Sequence, residues 1–126
     1  MIPTFTRSYE AAAAIAGHLI VAFADPANAS TVTPATSSTD ALIGTADSMG
    51  ADLGGMCDVH RGGVSEVRLG GPVQAGDPIT ADANAKGIAA TASAATTVRI
   101  IGYAEAPGVA DDIIQYFAAP GLLHQG

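Results

Sequence analysis

The chain predicts a mainly β fold, a small sandwich or barrel built from two similar half-units, with at most one or two short helices and an extended N-terminal arm. Three observations predict it. Short runs rich in Ile, Val, Thr and Tyr recur between Gly, Pro, Asn and Asp, the punctuation of strands and turns. Met56, Asp58 and His60 alternate with Cys57 and Val59, as on a half-buried strand. Finally, the sequence repeats itself. Ala16-Gly17 and Ala75-Gly76 lie 59 positions apart, as do Asp25 and Asn84, while Ile43-Gly44 and Ile101-Gly102, and Asp47 and Glu105, lie 58 apart. One gap aligns them all, which suggests a duplicated β unit.

Taken in order, "MIPTFTRSY" (1–9) is the arm, apolar at Ile2, Phe5 and Tyr9, with Pro3 blocking regular pairing. An arm of this kind either adds to the sheet edge of another chain or folds back onto its own core. "EAAAAIAG" (10–17) has alanine enough for one or two helical turns. Strands follow in "HLIVAFAD", "DALIGTAD", "MCDVHRG", "VSEVRL", "PITADA", "IAATAS", "RIIGYAEA" and "DDIIQYFA". The doublets in "HRGGV" and "RLGGPV" read as hairpin tips. A second short helix fits the "DSMGADLGG" or "APGVADD" loop. "APGLLHQG" then exposes Leu122 and Leu123 after a Pro-Gly break. The organisation expected is an arm (1–9), a duplicated β domain (10–119) and a tail (120–126).

Of the 126 residues, 48% are hydrophobic, but alanine dominates, and three Phe, three Tyr and no Trp make a thin core. Alanine buries little area, so additional burial against partner subunits is expected. The net charge is −7 and the five basic residues are scattered, which argues against nucleic acid as a partner. The single Cys57 cannot form an internal disulfide and serves as a small buried hydrophobe. Residues 11–29 superficially resemble a secretion signal, but Glu10, Gly17 and His18 interrupt the run and "LIVAF" reads as a strand. The run is too short to span a bilayer.

Catalytic signals are weak throughout. His18, His60 and His124 lack metal-ligand spacing, and the Asp residues of the Gly-rich loops suit turns better than calcium. No G-x-S-x-G occurs, and Cys57 and His60, three apart on a strand, face opposite ways. Neither glycine doublet matches a phosphate-binding pattern. Lys86, before Gly87 at a hairpin tip, allows an alternative reading as a small β-barrel carrier or enzyme domain, although the hydrophobic flanks of a carrier lysine are missing. No catalytic, cofactor or metal residue is assigned.

Taken together, "AGHLIVAFAD", the stretch from "ALIGTADSMG" through "RGGVSEVRLGG" to "AGDPITADANAKGIAAT", and "IIGYAEAPGVADDIIQYFAA" resemble the small capsid decoration, or cement, proteins that stabilise tailed-phage heads. The resemblance covers Ala16 to Ala119 and lies in the order of these elements. It implies a mostly β, tulip-like fold without enzymatic activity or cofactor. It also implies homotrimers on the outer surface of the virion head, bound to the major capsid protein after synthesis in the bacterial host cytoplasm. Gly44, Gly63, Gly76, Asp77, Gly87 and Gly102 match the family's turn positions. The arm residues Ile2, Pro3, Thr4, Phe5, Thr6, Arg7 and Tyr9 are the expected capsid contacts on the separate ground that apolar extended ends dock.

Overall fold

The computed structural model describes residues 2–25, 27–91 and 96–125. Nine strands account for its regular structure: β1 (Ile2–Ala11), β2 (Ile20–Asp25), β3 (Asn28–Pro34), β4 (Leu42–Ala46), β5 (Met56–Arg68), β6 (Pro78–Ala81), β7 (Gly87–Ala89), β8 (Thr96–Ala104) and β9 (Ile113–Gln125). They form one sheet in the order β1-β3-β2-β4-β5-β9-β8-β6-β7, and β1 also pairs with β5. That extra pairing closes β1, β3, β2, β4 and β5 into a five-stranded barrel.

The duplication is written in the hydrogen bonds. β2 pairs antiparallel with β3 and β4, and β4 with β5; β6 pairs in the same way with β7 and β8, and β8 with β9. The loops correspond as well. Ile15 and Ala51 exchange two backbone bonds of 2.8 and 2.9 Å, while Val73 and Gly108 exchange two of 3.0 and 3.1 Å. The Ala46 amide bonds the Leu19 carbonyl at 2.9 Å, and the Ala104 amide bonds the Asp77 carbonyl at 2.9 Å. Since the amides of His18 and Gly76 donate to the carbonyls of Ala46 and Ala104, His18 is the counterpart of Gly76. The sequence alignment of Ala16-Gly17 with Ala75-Gly76 is therefore one residue out of step at that point.

β5 belongs to both units. Its first half pairs with β4 (Thr45↔His60, Ala46↔Val59) and its second half with β9, from Val64↔Phe117 to Arg68↔Ile113. Just past its end, Leu69 bridges Gly87 of β7 in parallel, as Glu10 and Ala11 of β1 pair in parallel with β3. One cluster of buried side chains, including Tyr9, Val21, Val32, Ile43, Cys57 and Val59, fills the first barrel. The other joins Val67, Leu69, Ile79, Ile101, Ile114 and Tyr116 of the second unit to Ile20, Ala22 and Leu42 on the outside of the first.

Several expectations need correction. Among the described residues no helix forms: Glu10 and Ala11 end β1, and the loops at 47–55 and 105–112 are turns. Alanine propensity is worth tenths of a kcal/mol per residue, and sheet closure overrides it. Gly62-Gly63 is not a hairpin tip. β5 runs through it as one 13-residue strand, and the register with β1 shifts there, so the doublet is a bulge. Pro3 does not prevent pairing either, since β1 aligns with β5 from Ile2↔Val64 to Glu10↔Met56. The Pro-Gly break at 120–121 likewise leaves β9 intact, its register with β8 shifting between Gly102 and Ile100.

A candidate docking face

Two kinds of position follow from the duplication: those where the units carry similar side chains and those where they do not. The most unequal lie on the outer faces. Thr45 and His60 stand opposite each other across β4 and β5, and Tyr103 and Phe117 occupy the corresponding places across β8 and β9. Thr45 and His60 are 0% and 6% exposed, against 44% for Tyr103 and 51% for Phe117. The reason is visible at Thr45, whose Oγ1 lies 3.1 Å from the Tyr116 hydroxyl of the second unit. The first unit's outer face is covered by the second.

Burial also fixes the chemistry of this seam. It pushes the Tyr116 hydroxyl up to about 12, the bond to Thr45 opposing only part of the effect. His60 is held below its ordinary value by the same desolvation, against the field of Asp47 and Asp58, so its ring is kept neutral. Cys57, inside the first barrel, is pushed up to about 11 by burial and by the same two carboxylates, which makes it an unreactive thiol.

Around Phe117 the exposed apolar surface continues. Val64 stands opposite Phe117 on one side and Tyr103 on the other, forming a cross-strand row over β5, β9 and β8. Phe5, 53% exposed, stands opposite Gly62 on β1, and Leu122, 67% exposed, stands opposite Arg99 further along β9. Leu42, Arg99, Ile100, Pro120, Gly121 and Leu122 line an open groove of about 350 Å³ beside it. Exposed patches of large apolar side chains mark surfaces that associate.

The expected capsid contacts are divided by this arrangement. Tyr9 is a core residue: it is buried, its hydroxyl accepts a 2.9 Å bond from Arg61 Nη1, and its ring meets Phe23 edge-on at 6.0 Å. It has no surface to offer a partner. Phe5, Thr6 and Arg7 are exposed, with the Arg7 guanidinium 5.2 Å from the Tyr9 ring. The side chains of Ile2, Pro3 and Thr4 lie outside the described part.

Of the six expected turn residues, Gly76 (φ 91°) and Asp77 are at a turn, where Asp77 Oδ2 accepts the Gln74 amide at 2.9 Å. Gly44, Gly63, Gly87 and Gly102 are strand residues. A Cβ on Gly44 would run into the His60 carbonyl, and one on Gly102 into the Phe117 carbonyl, so both glycines permit close crossing of backbones.

Lys86 is not displayed as a carrier lysine would be. Its Nζ is 2.7 Å from Asp111 Oδ1, and it lines a cleft of about 390 Å³ with His18, Arg68 and Asn84. That lysine, with Arg68 beyond it, holds the Asp111 carboxyl below its usual range. Among the described residues no group of three or more His, Cys, Asp or Glu side chains is placed to hold a metal.

This architecture is similar to a solved one. The crystal structure of the head fiber gp8.5 N base in bacteriophage phi29 matches it with a TM-score of 0.66 over 91% of this chain and 93% of that one. The sequences are 13% identical, so the likeness is one of fold. No family model matches the chain, and no curated protein does.

Tyr103 and Phe117 were not among the residues that the sequence singled out. The signal was nonetheless present, since "LIGTA" and "IIGYA" differ by a tyrosine where the first copy has threonine. In a duplicated chain, a large apolar residue opposite a small or polar counterpart marks a difference in what covers the two copies.

Proposed function

We propose that the chain is a structural protein of a phage head, bound as a homotrimer to the outer surface of the shell, where it stabilises contacts between major capsid protein subunits. The observation that carries this is the likeness to a phage head fiber base along nearly the whole chain. An exposed apolar surface on a thin, alanine-rich core supports it. Packaged DNA presses outward on a thin shell, and a protein seated across a junction opposes that pressure by adding buried interface. A specific interface of ordinary size buries about 1,200–2,000 Å². Three such contacts on one trimer act together, because after the first the others bind at high effective concentration. On this reading the exposed start of β1, with Phe5, Thr6 and Arg7, faces the shell, and the protein works in the virion after synthesis in the host cytoplasm.

Co-sedimentation with expanded, undecorated heads tests this. The protein is expected to pellet with heads, and Phe5→Ser to weaken binding about tenfold, the size of loss that follows removal of a central aromatic anchor. Failure of the unaltered protein to pellet overturns the reading.

A further inference from the structure

The geometry points to the cleft between the two units, where His18, Ser48, Arg68, Asn84 and Lys86 converge, as a binding site for a carboxylate of an acidic protein partner. This inference goes beyond the head reading and does not depend on it. The cleft holds about 390 Å³, within the range of sites that receive small groups, and it lies open where a side chain from another protein can enter. It gathers two of the five basic residues of a chain whose net charge is −7, and no acidic residue lines it in the described part. Opposite charge is therefore what the cleft is suited to meet.

The frame does not require these cations. Leu69 bridges Gly87 as Ala11 pairs with Val32, so Arg68 and Lys86, each one residue earlier, correspond to Glu10 and Thr31. The first unit makes the same parallel contact with an acid and a threonine. Backbone strain marks the same place independently. The amides of Asp111 and Gly54 donate to the carbonyls of Leu69 and Ala11 at 2.7 and 2.8 Å, which makes Asp111 and Gly54 counterparts. Asp111 has φ 71° and Gly54 φ 82°, just as His18 has φ 65° and Gly76 φ 91°. In each pair the residue beside the cleft carries a side chain in a strained conformation, while its counterpart in the other unit is glycine. Strain of this kind costs stability and is kept where the side chain serves a site.

The donors suit a carboxylate. Lys86 Nζ, 2.7 Å from Asp111 Oδ1, already takes one from within the chain. Arg68 makes one side-chain bond, from Nη1 to the Asp111 carbonyl at 3.3 Å, and the rest of its guanidinium is uncommitted among the described residues. That planar fork matches the two oxygens of a carboxylate. Arg68 and Lys86 bring two positive charges and Asp111 returns one, which leaves one for a single incoming carboxylate and suits a doubly charged phosphate less well. Neighbouring carboxylates are turned onto backbone amides: Asp82 Oδ1 accepts those of Asn84 and Lys86, and Asp112 Oδ2 accepts that of Val109.

Two-dimensional proton–nitrogen NMR of the full chain tests this, by titration with acetylated, amidated triglutamate and, at equal ionic strength, with the matching triglutamine and with inorganic phosphate. Triglutamate is expected to shift the amides of Gly17, His18, Arg68, Asn84 and Lys86, and the other two to leave them in place. Arg68→Gln is expected to weaken triglutamate binding about tenfold, the size of one charge-assisted hydrogen bond. Arg99→Gln, which removes a positive charge outside the cleft, is expected to leave affinity unchanged. His18→Gly is expected to raise stability and lower affinity together, a combination that a purely structural histidine would not give. No shift with triglutamate, an equal response to triglutamine or phosphate, equal weakening by Arg99→Gln, or unchanged affinity in His18→Gly overturns the proposal. If Arg68→Gln disturbs the fold, Lys86→Gln is measured: a loss of similar size supports the site, and unchanged affinity overturns it. Head binding is read separately, and a protein that ignores heads leaves this site standing.

Discussion

The two units share a pairing scheme and differ in how they are finished. The first is closed by two parallel pairs between β1 and β3 and has its outer face covered, whereas the second is closed by the single parallel bridge Leu69↔Gly87 and presents aromatic side chains to solvent. The difference teaches that backbone pairing and surface chemistry have diverged separately. Hydrogen bonds between equivalent strands and loops persist almost unchanged, while Thr45 and His60 correspond to Tyr103 and Phe117. What is inherited is the frame, and what varies is the partner the frame is prepared to meet.

The hardest test of that equivalence is steric. An alanine Cβ at Gly44 or Gly102 meets backbone carbonyl oxygen, which cannot rotate away as a side chain does. Each of Gly44→Ala and Gly102→Ala is expected to cost about 3 kcal/mol in urea unfolding, at the upper end of overpacking. If the units are equivalent the two costs agree; a negligible cost at one glycine breaks the comparison there.

A smaller effect belongs to the seam between them. Tyr116 ionises near 10 when unfolded but is pushed up to about 12 in the fold. Its neutral form is favoured by folding, so this contribution is complete below pH 10 and is lost as pH rises from 10 to 12, amounting to about 2–3 kcal/mol. Cys57, raised from 9.0 to about 11, starts an earlier loss. Tyr116→Phe is expected to flatten the upper part of the alkaline stability profile and to cost about 1 kcal/mol at neutral pH through the lost bond to Thr45. An unchanged alkaline profile would place the phenol outside the seam.

The smallest effect sharpens the comparison at a turn. His18 has φ 65° where its counterpart Gly76 has φ 91°. A β-carbon is strained in that conformation, and no neighbour lies within 4 Å of one built on Gly76. His18→Gly is therefore expected to raise stability, and Gly76→Ala to lower it, by about 1 kcal/mol each in thermal unfolding. Changes of the same sign would show that the two turns are not equivalent.

Much of this frame was legible because strands punctuated by glycine and proline leave a trace in composition, as "ALIGTAD" and "RIIGYAEA" do. β3 was harder: "NASTVTP" has one buried apolar residue, Val32, and takes its shape from two neighbouring strands. Gly62-Gly63 misled for a physical reason. A glycine pair serves a tight turn and a bulge equally well, and only the presence of β1 on the other side decides between them. Of the docking face, Phe5 and Leu122 could be read as apolar residues near chain ends. Tyr103 was legible only as the tyrosine of "IIGYA" set against the threonine of "LIGTA", and the exposure of both Tyr103 and Phe117 follows from the absence of a covering unit, a property of the whole molecule.

β5 is 13 residues of continuous chain that contribute to both units. No cut in the polypeptide therefore leaves two intact modules, since either half of β5 removed from one unit is lost to its pairing with β4 or with β9. Force applied to one unit is carried into the other along covalent bonds, without crossing a separable joint.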